Sequence, residues 1–282
     1  MTLSFFEMRP YSTPIPIGHP AGVVEEMCPY FMSQKIAIIT GGSRGIGRAI
    51  ALRLAKSGVH SIITYKSSQA EAGDVVKQIE GLGARAVAVP LDVATRDSYM
   101  NFAAVAKSAL EKLGATRFNF LVNNAGIGLS QPFAETTEAQ FDEMTNIHFK
   151  SVFFLSQTLL PLIADGGQIV NISTGTSRFV LPGYSIYASL KTAVEGLTRY
   201  MAKELGPRKI RVNVVAPGAT ETDFRGGFIR NHPEFKKAME TNIALGRVGQ
   251  ADDIAGVINA LLSDDCYWIN GQRIEASGGQ AM

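Results

Sequence analysis

The stretch "KIAIITGGSRGIGRAIALRLAKSG" (35–58) passes from a continuous apolar run, through a glycine-rich turn, into residues whose apolar positions recur at helical spacing. Its opening, "KIAIIT" (35–40), is apolar throughout instead of alternating. That is the pattern of a strand covered on both faces, as in a parallel sheet held between layers of helices. Strand, glycine turn and helix in this order form the first unit of a doubly wound α/β sheet.

The alternation continues along the chain. "VHSIITY" (59–65) is the next strand, and residues 69–81 read as a helix ending at Gly81 and Gly83. Further strands are expected in "RAVAVPLDV" (85–93), "FNFLVNNAG" (118–126), "GQIVNIS" (167–173), "IRVNVVAPG" (210–218) and "GQRIEASGG" (271–279). Helical segments lie between them, one of them near 251–263. The expected fold is one α/β domain over 34–282, a doubly wound parallel sheet with right-handed crossovers and helices on both faces.

Bulk properties agree with such a domain. Of 282 residues, 46% are hydrophobic and 18% charged, enough for a sizeable core. A net charge of +2 gives no reason to expect nucleic acid or a membrane surface as a partner. No apolar run approaches the roughly 20 residues that span a bilayer. The two cysteines, Cys28 and Cys266, form neither a disulfide framework nor a metal site, which fits a reducing, cytoplasmic setting. Residues 1–33 carry Pro10, Pro14, Pro16, Pro20 and Pro29, lack the features of a secretory signal and read as an extended or disordered leader.

In doubly wound sheets ligands bind beyond the C-terminal strand ends, where the strand order reverses. The polar and glycine-rich segments fall at those ends: "TGGSRGIG" (40–47), "LDV" (91–93), "NNAG" (123–126), "NIST" (171–174) and "APGATET" (216–222). In the first of them Gly41, Gly45 and Gly47 permit a tight turn and let backbone approach a pyrophosphate at a helix N-terminus. Ser43, Arg44 and Ile46 lie between them and count with them as cofactor contacts. At the end of the second strand "TYKSSQAE" (64–71) has no carboxylate before Glu71, where an NAD site places an acidic residue on the ribose. Lys66 follows Tyr65, Ser67 and Ser68 offer hydroxyls, and Arg44 projects from the glycine loop. Two cations and two hydroxyls here suit a 2′-phosphate, so NADP (NADPH) is the expected cofactor. The competing reading makes Arg44 and Lys66 solvated surface charges.

The motifs "TGGSRGIG", "NNAG", "YASLK" (187–191) and "PGATET" (217–222), in that order, resemble the short-chain dehydrogenase/reductase family over about residues 33–280. The resemblance implies a Rossmann-type fold, a homotetramer or other homo-oligomer, and hydride transfer between NAD(P) and a small-molecule carbonyl or alcohol. It implies that Asp92 and Val93 sit by the adenine and that Asn124, Ala125 and Gly126 line the adenosine ribose side. Asn123 could instead brace neighbouring strands. The same resemblance puts Pro217, Gly218 and Thr222 beside the nicotinamide, with Thr220 among the cofactor contacts. Residues 223–247 would form a mobile flap over the substrate.

Within "GYSIYASLK" (183–191) a helix is expected to start near Ser185, after the break at Pro182–Gly183. Tyr187 and Lys191 then stand four apart on one face. A lysine ammonium near a phenol lowers its pKa and makes tyrosine a usable proton donor or acceptor. Tyr184 reads as a wall residue. The family pairs this tyrosine with a hydroxyl thirteen residues earlier, which is Thr174 here, with Ser173 as the alternative. Where the family carries a relay asparagine this chain has His148, while Asn146 lies two residues away. His148 either serves that relay or is a buried histidine bonded to a carbonyl. The leading expectation is an NADPH-dependent carbonyl reductase. An NAD-linked alcohol dehydrogenase and a cofactor-binding regulatory protein without turnover are the alternatives. Nothing in the sequence suggests a metal.

Overall fold

Strands that bury side chains on both faces need a helix layer on each. The computed structural model, which describes residues 34–282, supplies both layers. The leader expected over 1–33 lies outside the described residues. The first half of the fold is built from β1 (Ile36–Ile39), α1 (Gly45–Lys56), β2 (His60–Tyr65), α2 (Gln69–Gly81), β3 (Ala86–Pro90), α3 (Arg96–Met100), α4 (Phe102–Lys112) and β4 (Phe118–Asn123). Then come α5 (Glu138–Thr145), α6 (Ser151–Leu159), β5 (Ile163–Ile172), α7 (Ser185–Glu204) and β6 (Arg211–Pro217). The chain continues through β7 (Thr220–Glu221), α8 (Phe228–Asn231), α9 (Pro233–Glu240), β8 (Gly249–Gln250), α10 (Ala251–Leu262) and β9 (Arg273–Ala276).

Seven strands make one parallel sheet in the order β3-β2-β1-β4-β5-β6-β9, and β7 pairs with β8 separately. The expected doubly wound sheet is therefore observed. Successive residues of β1 explain its unbroken apolar run. Ala37 and Ile39 pack with Ile50, Leu54, Val75, Ile79 and Ile258, the faces of α1, α2 and α10. Ile36 and Ile38 face the other way, onto Phe102, Ala106, Leu110, Leu155 and Leu159 of α4 and α6. Each fully buried side chain of this size contributes roughly 1.5–3 kcal/mol.

Two differences from expectation have local causes. β5 starts at Ile163, before the expected 167, and its pairing with β4 shifts register between Phe118 and Phe120. The intervening Asp165–Gly166–Gly167 reads as a turn in sequence, yet the extra residues are absorbed as a bulge. The second difference is a π-helical turn at Asn146–Lys150, between α5 and α6, where a continuous α-helix would be expected.

The far end of the sheet depends on one buried cation. Arg211 on β6 is 5% exposed and sends its guanidinium to four carbonyls, those of Leu261, Ser263, Cys266 and Ile269. It thus closes the C-terminal end of α10, which has no basic residue in its last turn. Arg211→Ala is expected to lower the unfolding free energy by about 3 kcal/mol in urea denaturation, since buried carbonyls lose their donors. Arg211→Lys should recover only part of this, because an ammonium cannot reproduce the planar fork.

Candidate active site

The sheet order reverses between β1 and β4, so the loops that follow these strands diverge and leave a crevice at their C-terminal ends. Thr40 joins the two loops. Its hydroxyl accepts from the N–H groups of Asn124 and Ala125, both at 2.9 Å, and its carbonyl accepts from Asn124 Nδ2 at 2.8 Å. The crevice opens into a cleft of about 610 Å³, and every residue singled out above for cofactor or catalysis lines it.

At one end lies the start of α1. A Cβ on Gly47 would come within 2.2 Å of the Gly41 carbonyl oxygen and 2.6 Å of Asn124 Nδ2. Only glycine allows this approach. The first turn of α1 has neither a side-chain cap nor an acidic residue, so its N–H groups face the cleft unmatched. Arg44 is exposed beside it and forms no ion pair among the described residues. Lys66, also expected to be free, instead pairs with Asp92 at 3.0 Å. Nothing in the sequence marks this pair, whose members are 26 residues apart. Asn124 is tied through its side chain to the Thr40 and Gly41 carbonyls, so it shapes the glycine loop. Asn123 does brace strands: its Nδ2 donates to Asn171 Oδ1 at 2.8 Å and Ser156 Oγ at 3.0 Å. Asn171 Nδ2 passes the chain on to Thr198 of α7 at 2.9 Å.

At the other end α7 begins at Ser185, as expected, and carries Tyr187 and Lys191 into the cleft. The two hydroxyls of "NIST" both line the cleft but have different partners. Ser173 is buried, and its hydroxyl donates to Glu195 Oε1 at 2.6 Å. Thr174 has its hydroxyl beside the Tyr187 phenol, whose pKa it lowers, and 3.1 Å from Thr176 Oγ1.

The electrostatics correct one expectation. Tyr187 has a pKa raised well above the ordinary tyrosine value, by burial first, with Thr174 pulling it down and Tyr184 pushing it up. Lys191 does not reverse this. Its ammonium donates to the Ile172 carbonyl at 2.7 Å and lies 5.8 Å from the Tyr187 ring centre, and burial lowers its own pKa to about 8.

His148 comes to the same place from the π-helical turn, a feature that nothing in the sequence marks. It is 1% exposed, stands edge-on to Tyr187 with ring centres 5.1 Å apart, and shares a 2.9 Å hydrogen bond between Nε2 and the Ile127 carbonyl. Burial, and then the Lys191 charge, hold its pKa well below the usual histidine range, and because a carbonyl can only accept, Nε2 is the donor in that bond. That bond engages one ring nitrogen, and Nδ1 is buried with no hydrogen-bond partner among the described residues. A Cβ on Gly126 would lie 2.9 Å from His148 Cε1, which ties "NNAG" to this ring.

A family model described as Enoyl-(Acyl carrier protein) reductase matches residues 40–281. A hydroxynaphthalene reductase-like protein of Metarhizium brunneum is 34% identical over 265 residues, covering 90% of this chain and 97% of the relative. The chain belongs to the short-chain dehydrogenase/reductase family. Two solved members are similar in structure, each with a TM-score of 0.81. One is a promiscuous reductase that catalyses keto-reduction at C1 in lugdunomycin biosynthesis, 37% identical, covering 88% of this chain and 98% of that one. The other is an angucycline C-6 ketoreductase with bound NADP, 35% identical, covering 88% and 95%.

In this short-chain dehydrogenase/reductase the strand end that carries Thr174 is held from behind by charges the sequence did not suggest. Glu195 of α7 accepts from Ser173, from Ser177 at 2.6 Å and from Arg273 Nε at 2.9 Å. Arg273 also reaches the Thr174 carbonyl at 3.4 Å and Glu275 at 2.9 Å. Glu275 pairs with Arg178, which clasps the carbonyls of Gln280 and Ala281 and so anchors the C-terminal segment. The hydrogen bond from Arg178 is the main reason the Glu275 carboxyl is lowered to about 2, below the ordinary glutamate range. A depressed carboxylate adds stability that is complete above its unfolded pKa and fades as pH falls toward the folded one. Wild-type stability should therefore drop between about pH 4.5 and 2, and Glu275→Gln should flatten the curve across that window in acid titrations followed by circular dichroism.

Proposed function

We propose that the chain is an NADPH-dependent carbonyl reductase in which Tyr187 donates the proton and Thr174 holds the substrate oxygen. The observation that carries this reading is the Thr174 hydroxyl beside the Tyr187 phenol, with the Lys191 ammonium 5.8 Å from the Tyr187 ring centre, in the same cleft as the uncapped, glycine-lined start of α1. The dinucleotide, when bound, supplies the hydride. A carbonyl oxygen between the two hydroxyls receives hydrogen bonds from both, and negative charge developing on it is met by the proton of Tyr187. The raised pKa keeps that phenol protonated and able to donate. Lys191 lies on the same helix face and offsets the phenolate left behind.

The residues at the α1 end fit a pyrophosphate. Unmatched amides and the positive end of α1 face it, and the missing Cβ of Gly47 leaves the room. The preference for NADPH rests on the absence of a carboxylate at the end of β2, on Arg44, and on a relative solved with NADP bound. Lys66 remains usable, since its side chain is 66% exposed and surface ion pairs contribute only about 0–1 kcal/mol. Among the described residues no helix is long and apolar enough to cross a membrane, which suits a small-molecule substrate arriving from water.

Titration with NADPH and NADH, followed by cofactor fluorescence, tests the cofactor assignment. Wild type is expected to favour NADPH, and Arg44→Ala to weaken NADPH by about tenfold or more while leaving NADH nearly unchanged. Equal affinity for both cofactors, or an unaffected mutant, contradicts it. The pH dependence follows from Lys191. Its ammonium is present below about 8 and lost above, so kcat/KM for ketone reduction should fall as pH rises through that value. In Lys191→Arg, where the guanidinium stays charged, that fall should move to higher pH.

A further inference from the structure

The cleft holds one cation that neither the phosphate end nor the proton chemistry uses. Arg225 precedes α8 and has left-handed backbone angles, φ 54° and ψ 42°, which a side-chain-bearing residue seldom adopts. This conformation belongs to the stretch that turns the chain over the cleft. The guanidinium carbon lies 4.8 Å from the ring centre of Phe228 and 5.4 Å from that of Tyr184. One of its N–H groups donates to the Tyr184 hydroxyl. Its stem is seated against Gly128, where a Cβ would come within 2.5 Å of Arg225 Cγ.

No carboxylate among the described residues pairs with this guanidinium. The nearest acids in sequence are committed elsewhere: Asp223 to Arg230 at 2.9 Å and Glu221 to Lys236 at 2.8 Å. Glu143 also lines the cleft but is exposed. A guanidinium carries five donors, and rings on its faces leave the edge donors to be satisfied in the plane. Such a group takes an anionic oxygen. It stands one ring beyond the proposed acid, because the Tyr184 and Tyr187 ring centres are 6.2 Å apart. Phe179, Leu181, Phe224 and Phe228 also line the cleft, and the ring centre of Phe224 lies 6.1 Å from that of Tyr187.

We propose that Arg225 is a specificity-determining residue that binds an ionised hydroxyl on a fused-ring aromatic ketone, with the reacting carbonyl at Thr174 and Tyr187. This rests on the carbonyl reductase reading for the orientation of the ligand, but the binding preference it requires is independent of turnover. Flat rings fill the space between the aromatic side chains, and the second oxygen reaches the in-plane donors of Arg225 with Tyr184 alongside.

A matched pair of ligands tests it: 6-hydroxy-1-tetralone, whose hydroxyl is acidified by conjugation with its carbonyl, and neutral 6-methoxy-1-tetralone. Calorimetric titrations of the full chain with each, at about pH 6 and about pH 9, compare wild type, Arg225→Gln and Arg225→Lys, with thermal melts confirming that each variant is folded. Wild type is expected to prefer the hydroxy compound about tenfold or more at the higher pH and much less at the lower. Arg225→Gln should abolish that preference, and Arg225→Lys should restore part of it. A preference that survives in Arg225→Gln, one that is absent in wild type, or no binding of either tetralone overturns the inference. Binding with the expected preference but no NADPH-dependent reduction of either compound would sink the reductase reading and leave the anion site standing. Reduction of both without a preference would do the reverse.

Discussion

The Thr40 hydroxyl holds together the two loops from which the cleft is made. It accepts two backbone N–H groups from the loop after β4, at 2.9 Å each, and donates to the Val122 carbonyl at 3.3 Å. A doubly wound sheet opens a crevice where its strand order reverses, but the crevice alone fixes nothing. Thr40 and the side chain of Asn124 set the glycine loop against the "NNAG" loop, and Gly47 permits the contact by lacking a Cβ. The direction in which α1 presents its first amides follows from that contact. So does the position of Gly126 under His148.

A second buried chain fixes the opposite end. Asn123, Asn171 and Thr198 link β4, β5 and α7 through hydrogen bonds of 2.8 and 2.9 Å in the interior, where an unmade bond would cost about 1–3 kcal/mol. Helix α7 is thereby held to the sheet at an interior point as well as through its apolar face. Glu195 and Arg273 then hold Ser173 and the Thr174 backbone from behind. The result is a cleft whose two ends, one suited to phosphate and one to a proton, are both tied to β4. The segment from Phe224 to Glu240 differs in kind: it forms short helices, Arg225, Gly226 and Gly227 before α8 have positive φ, and the rings of Phe228 and Phe235 meet with centres 5.1 Å apart.

Much of this was legible in the sequence because periodicity and strand-end chemistry are local. The helix at 69–81 has the expected bounds, the start of α7 was marked by Pro182–Gly183, and the whole set of candidate residues lies in one cleft. What escaped was pairing across distance. Lys66 and Asp92 are neighbours only because β2 and β3 are adjacent, and the Glu195–Arg273 contact joins residues 78 apart. The bulge at the start of β5 hid behind turn-forming residues, and the π-helical turn that delivers His148 has no compositional mark. The sign of the Tyr187 shift also needed coordinates. Spacing alone puts a lysine near a phenol, but burial and the direction of the Lys191 ammonium decide which effect wins.

In the proposed reaction Tyr187 and Thr174 act together on a carbonyl oxygen. Single-turnover reduction of a bicyclic ketone at saturating NADPH, compared in wild type, Tyr187→Phe and Thr174→Val, tests it most directly. The account predicts alcohol formed in step with NADPH oxidation in wild type and a loss of about a hundredfold or more in Tyr187→Phe. Thr174→Val should be impaired as well, while Ser173→Ala keeps more activity than either. Undiminished reduction by Tyr187→Phe, or a greater loss in Ser173→Ala than in Thr174→Val, would contradict it.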